Sequence, residues 1–244
     1  MRVALLWSVV SFSALAQTFV SDEHRTKESP RSMFLEIKLS PYMPLIDQPF
    51  QNKPVAERPY AFFFGENNPM LLGEIEFEYQ LFQAFGSLAI GASVGYAEKY
   101  GQALDVTNDS RVGQSTGLSM VPIKALLVYR FDWLKQKTKI PLVPYVKGAF
   151  VAIPWWITNG GEVENVREFA GRGTRFGLAG VFGLALELDF IDPRLARDFD
   201  SSMGVNHTYL FAEATLQGMD FFPSVGAPLN LSSQHFMFGL GLEF

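Results

Sequence analysis

The chain has 244 residues, 48% of them hydrophobic, with a net charge of −5 and no cysteine. The mild acidity argues against a nucleic-acid partner, which would want a basic face. The missing cysteines rule out disulfides and a lipid-modified N-terminal Cys, leaving stability to packing or hydrogen-bond closure. Past residue 16 the longest apolar run, 178–186, is nine residues, well short of the roughly 20 that a spanning helix needs.

The first residues read as an export signal. Met1-Arg2 supplies the positive start, 3–14 the short apolar stretch, and Ala14-Leu15-Ala16 a small-x-small cleavage site, so residues 1–16 are expected to be removed. Residues 17–32 are polar and read as a flexible leader.

Strand signals then recur with period two. Over 33–40, Leu35, Ile37 and Leu39 oppose Glu36 and Lys38. Over 71–81, Leu71, Ile75, Phe77, Tyr79 and Leu81 oppose Glu74, Glu76, Glu78 and Gln80. Over 87–96, Leu88, Ile90, Val94 and Tyr96 oppose small residues. Over 118–131, Ile123, Leu127, Tyr129 and Phe131 oppose Lys124 and Arg130. The pattern continues over 142–154 (Lys147 on the polar face), 176–190 (Glu187), the weaker 208–216 (Glu213) and 236–244. Eight strands are an even number, which returns both ends of the barrel region, 33–244, to one side. Connections alternate between short ones (83–86, 132–141, 191–206) and long polar ones (41–69, 97–117, 155–174, 217–235), the layout of an outer-membrane barrel. Asp192-Pro193 with the residues after it reads as an N-cap and a short helix at the periplasmic rim.

The final stretch, Phe236-Met-Phe-Gly-Leu-Gly-Leu-Glu-Phe244, puts Phe236, Phe238, Leu240, Leu242 and Phe244 on one face. An exposed edge of this kind invites aggregation in water, but it suits a barrel whose last strand pairs with its first, and it serves as an assembly signature for the barrel-insertion machinery. Aromatic residues gather at the expected strand ends. Tyr79, Phe131, Trp133, Phe190 and Phe244 fall on the periplasmic side, and Tyr96, Trp155, Trp156, Phe176 and Phe236 on the external side, as two interfacial girdles. The fold class expected is therefore all-β: an eight-stranded antiparallel up-and-down transmembrane barrel.

Eight strands leave an interior just wide enough for side chains. The inward set carries Glu36, Glu74, Glu76, Glu78, Glu187, Glu213 and Glu243 against Lys38, Lys124, Arg130, Lys147 and Arg175, and these are expected to pair as a lumen charge network. The Glu74-x-Glu76-x-Glu78 stripe could hold a cation, but pairing across the lumen is the reading adopted. Asp105, Asn108 and Asp109 lack the spacing of a Ca²⁺ loop. Ser232, Ser233 and His235 could suggest a lipid A deacylase, yet no acid stands at a recognisable spacing. No catalytic residue, cofactor or metal is expected.

Several segments resemble a small outer-membrane barrel family of myxobacteria and related deltaproteobacteria. They are Leu72-Gly-Glu-Ile-Glu-Phe-Glu-Tyr79, Phe85-Gly-Ser-Leu-Ala-Ile-Gly91, Tyr129-Arg-Phe-Asp132, Ile140-Pro-Leu-Val-Pro-Tyr145, Leu188-Asp-Phe-Ile-Asp-Pro-Arg194 and Gly204-Val-Asn-His-Thr-Tyr-Leu-Phe211. The strand plan is also similar to OmpA- and OmpX-type barrels, without an expected peptidoglycan-binding domain. The resemblance implies fold and location in the outer membrane of a Gram-negative bacterium, among lipid and lipopolysaccharide, and no activity. The function expected is a closed-lumen barrel, structural in the envelope or acting through four external loops, one of which carries the aromatic cluster Tyr60-Ala-Phe-Phe-Phe64. The alternatives are a narrow OmpW-like route for hydrophobic solutes, a lipid-modifying enzyme, and a soluble lipocalin-like binder.

Overall fold

The computed structural model describes residues 32–244 except 84, 105–110, 139, 161, 164, 167–168 and 192. The signal segment, the leader up to 31 and the Asp105/Asn108/Asp109 cluster lie outside the described residues. Eight strands form the wall: β1 Met33–Tyr42, β2 Met70–Gln83, β3 Ser87–Leu104, β4 in two segments, Arg111–Met120 and Ile123–Arg130, β5 Leu142–Asn159, β6 Arg172–Glu187, β7 His207–Gly218 and β8 Ser233–Glu243.

Each strand pairs antiparallel with the next, and β8 pairs with β1 from Leu39↔Phe238 to Phe34↔Glu243. The two segments of β4 hold one register against both neighbours: Ala97↔Met120 and Val94↔Ile123 on β3, Trp155↔Met120 and Ala152↔Ile123 on β5. The two segments part at Val121-Pro122, because Pro122 has no N–H to give, and the register with β3 shifts between Gln102 and Leu104. The Pro122 carbonyl still accepts from Gly95 N at 2.8 Å, and Val121 N donates to Pro154 O at 2.9 Å. The seam is tied at the turn end by Ser32 N and Met33 N, which donate to Phe244 O at 2.8 and 3.1 Å. Passing once round the ring from partner to partner returns to β1 displaced by about ten residues, a stagger that tilts the strands by roughly 40°. A closed ring satisfies the backbone without water, which a bilayer requires.

The wall is apolar outside and polar inside. Along β2, Leu71, Ile75, Phe77, Tyr79 and Leu81 are exposed, while Glu74, Glu76 and Glu78 are buried. Along β8, Phe236, Phe238 and Leu240 face out and His235 and Met237 face in. No helix among the described residues is long and apolar enough to cross a membrane.

Two of the four expected long loops prove shorter. β3 runs on to Leu104 and β4 starts at Arg111, where a loop from 97 to 117 was expected. Likewise β5 reaches Asn159 and β6 starts at Arg172, with small ladders at Glu162–Val163, Asn165–Val166 and Phe169–Ala170 between them. Toward their tips these extensions stand beyond the apolar band, and there the sequence alternates little. At the turn end α2 (Asp132–Thr138) and α3 (Pro193–Met203) cross between strands, α3 being the expected rim helix. At the loop end, 3-10 turns at Leu45–Phe50 and Val55–Glu57 lead into α1 (Pro59–Phe64).

Candidate functional site

Among the described residues the lumen gathers the largest set of ionisable groups, and it is filled in three storeys. Nearest the turn end, Phe34, Val143, Tyr145, Ala185, Tyr209 and Phe211 form an apolar cluster. The Phe34 and Tyr209 rings lie 5.4 Å apart, and the Arg130 guanidinium sits 4.1 Å above Phe34. Tyr145 lies flat over Gly183, its register partner; a Cβ there would come within 2.1 Å of the ring. The phenols turn upward and sideways, with Tyr145 donating to Glu213 Oε1 at 3.0 Å and Tyr209 to Glu243 Oε2 at 2.8 Å.

The middle storey is ionic. Lys147 Nζ lies 2.6 Å from Glu36 Oε2, 2.5 Å from Glu76 Oε1, 2.9 Å from Glu213 Oε1 and 3.1 Å from Glu78 Oε1. Lys38 reaches Glu76 at 2.5 Å, Glu36 at 3.1 Å and Glu213 at 3.3 Å. Arg130 joins Glu78 (2.6 Å) to Glu36 (3.2 Å), and Lys124 holds Glu74 at 2.6 Å. All nine side chains are buried. β1 and β2 place such residues at successive inward positions, and β4, β5 and β7 add Lys124, Arg130, Lys147 and Glu213 from theirs, so the wall brings charges from five strands together. Charges taken from water need close, multiple pairing, and shared carboxylates supply it. The oxygens of Glu36, Glu76 and Glu78 come within 4.8 Å of one another, a spacing that suits a metal ion. The ammonium of Lys147 already stands among them.

Three residues expected in this network lie elsewhere: Glu243, at the turn end of β8, accepts from Tyr209 and Gln80, and the other two stand on β6. Arg175, at the loop end of β6, donates to Met219 O and Asp220 Oδ1, both at 3.0 Å, and ties the wall to the loop after β7. Glu187, at the turn end of the same strand, stands 3.9 Å from His207 Nδ1, which also pairs closely with Asp189. Both face inward as alternation requires, but β6 is longer than the ionic storey is tall.

Above the charges the interior becomes apolar again, with Met70, Leu72, Met120, Ile153, Met219, Leu231 and Met237 fully buried. This storey was not foreseen, since the inward positions were read as a charge network; the apolar lumen residues Tyr209 and Phe211 line the opposite end. Trp155 is a second correction: it is 3% exposed and points into the storey, not into a girdle. In Trp155-Trp156 only one ring can face out, and the register gives that place to Trp156. Of the other girdle residues, Tyr79, Tyr96, Trp133, Phe190 and Phe236 are exposed and Phe131, Trp156, Phe176 and Phe244 half-buried.

The loop between β1 and β2 closes the top. Both oxygens of Asp47 accept from the first turn of α1, Tyr60 N at 2.7 Å and Ala61 N at 2.8 Å. Tyr60 is 1% exposed and donates its hydroxyl to Asn68 O at 2.9 Å. Burial, with the Asp47 carboxylate beside it, pushes that hydroxyl well above the usual range. The aromatic cluster therefore folds back over the mouth. Beneath it Tyr42 donates to Leu231 O at 2.5 Å, and Gln217 donates to both. His235 Nδ1 lies 3.2 Å from Ser233 Oγ, and both residues are buried inside the barrel. Ser232 Oγ accepts from Met219 N at 3.0 Å.

A closed ring of eight antiparallel strands, apolar outside and ionised inside, is a β-barrel of the outer-membrane type. The chain is similar to solved barrels of this kind. Neisserial surface protein A shares 13% identity, with 88% of this chain and 98% of that one covered and a TM-score of 0.46. For Ail, the attachment invasion locus protein of Yersinia pestis, the values are 10%, 88%, 97% and 0.42. For the outer membrane protein OprG of Pseudomonas aeruginosa they are 11%, 88%, 93% and 0.41. No protein-family model matches the chain, nor does any curated sequence. The likeness is one of fold, and the class rests on this barrel's own geometry.

Proposed function

We propose that the protein is an outer-membrane barrel with a closed lumen that serves the envelope as a structural or surface-interaction element, working through its loop end and not through a channel. The observation that carries this is the ionic storey: one ammonium, Lys147, sits within 3.1 Å of four carboxylates from three strands, with apolar layers above and below. An eight-stranded barrel has no space to spare for water around such a cluster. The purified barrel should give no stable openings in planar bilayers. Sustained single-channel conductance from the wild type would refute the closed plug.

The apolar upper storey supports a second reading, entry of a small hydrophobic solute from the loop end. The path would end on Lys38 and Glu76, so it favours holding such a solute over passing it. Trp155 reports on this directly, because a solute in the storey would quench its fluorescence. A lipid-modifying activity needs Ser232 or Ser233 and His235 to meet lipid, and all three are buried, Ser233 and His235 on the lumen side of β8. His235→Ala should leave folding and lipid composition unchanged. A change in lipid A or phospholipid modification would reverse that reading.

A further inference from the structure

The outer surface at the loop end carries a groove of about 610 Å³ between β5, β6 and the loop that follows β7. Its walls and floor include Pro154, Trp156, Val163, Arg172, Thr174 and Val225. The register explains the arrangement. Arg172 pairs with Trp156 and Thr174 with Pro154, so these four side chains share the outward face. β7 ends at Gly218, and the returning loop supplies Val225–Gly226 as a short replacement strand against Thr174 and Gly173. One wall is thus built by a loop segment paired edge-on to β6, with Val225 beside Thr174. Just below, Phe222 of that loop packs on Phe150 at 5.5 Å, and Phe150 on Phe176 at 6.2 Å. The groove therefore opens onto the lipid-facing surface and rises from it, with an exposed guanidinium at its upper part.

The geometry points to a fixed lipid site: the groove takes acyl chain from a phosphorylated glycolipid of the lipid A type, whose phosphate pairs with Arg172. The volume is in the range of small-molecule sites, and such sites are apolar with few polar groups. Continuity with the apolar band supplies the chain. A planar guanidinium suits the phosphate, which it can grip through two parallel hydrogen bonds. The loop end meets the leaflet where lipid A resides, and to that extent the inference rests on the orientation in the proposed function.

Native mass spectrometry of the full barrel released from detergent, with added lipid A or phosphatidylcholine, tests this. One lipid A per barrel should be retained and phosphatidylcholine lost. Arg172→Gln should weaken retention roughly tenfold, the usual effect of removing one charge-assisted bond. Thr174→Phe, which fills the floor, should abolish it. Equal retention of both lipids, or unchanged retention in Arg172→Gln, would overturn the site. Heat-modifiable gel mobility separates the causes. Failure of the wild type to show a folded band would remove the membrane reading itself, while unfolding confined to Thr174→Phe leaves Arg172→Gln to decide.

Discussion

Replacing Lys147 by Met keeps an unbranched side chain, one atom shorter, and removes the charge at the centre of the lumen. Four carboxylates lose a partner at 2.5–3.1 Å. Glu36, Glu76 and Glu213 keep Lys38, and Glu36 and Glu78 keep Arg130, so none is wholly orphaned. Even so, five buried acids then face three cations. Removing one partner from a buried pair costs about 3–5 kcal/mol, because the other charge stays buried. Two comparisons calibrate the value. Among the described residues Lys124 makes one ion pair, with Glu74 at 2.6 Å, so Lys124→Met should cost less. Lys53 pairs with Glu57 four residues on, both about half exposed, and such surface pairs contribute about 0.2–1 kcal/mol. Adding Glu213→Gln to Lys147→Met removes one surplus acid and should recover part of the loss. Urea titration of the barrel in lipid vesicles, read by heat-modifiable mobility, measures all four variants. If Lys147→Met unfolds at the same urea concentration as Lys53→Met, water screens the lumen and the reasoning behind a packed ionic storey is wrong.

Other outcomes follow from the same wall. Leu240, half exposed at mid-height on β8, faces lipid; Leu240→Arg should cost about 2–4 kcal/mol and lower the fraction inserted into vesicles. Asp47→Ala removes the carboxylate that receives the first N–H groups of α1. It should raise amide exchange over 59–64, consistent with a cap contribution of about 0.5–2 kcal/mol, while the urea midpoint of the barrel stays fixed.

How much of this was legible beforehand depended on whether lipid or water met the outer face. Between Leu71 and Leu81 the contrast of apolar and acidic positions reported the wall directly, and Glu36, Lys38, Glu74, Glu76, Glu78, Lys124, Arg130, Lys147 and Glu213 were placed inward as they are found. Toward the loop end the contrast fails for two reasons. Met70-Leu71-Leu72 and Val151-Ala152-Ile153 are apolar on both faces, which hides the upper storey and left Trp155 assigned to the wrong side. Beyond it, segments such as Glu98-Lys-Tyr-Gly-Gln102 stand in water, so their strands carry no alternation and read as loop. Heights along a strand are also invisible in the sequence, which is why Arg175 and Glu187 were grouped with charges they do not touch.

The strands differ in length by almost a factor of two: β3 and β5 have 18 residues each, β1 has 10 and β8 has 11. A tilted strand crosses the hydrocarbon in about 9–11 residues. The short side of the wall is used up by the membrane, while the tall side stands clear of it like the back of a chair, with α1 seated against β3. A macromolecule approaching the loop end would therefore meet the crest of β3 and β4 well before it reached the mouth. Tyr100, exposed on the outer slope of that crest, is presented to the surroundings earlier than any residue guarding the lumen.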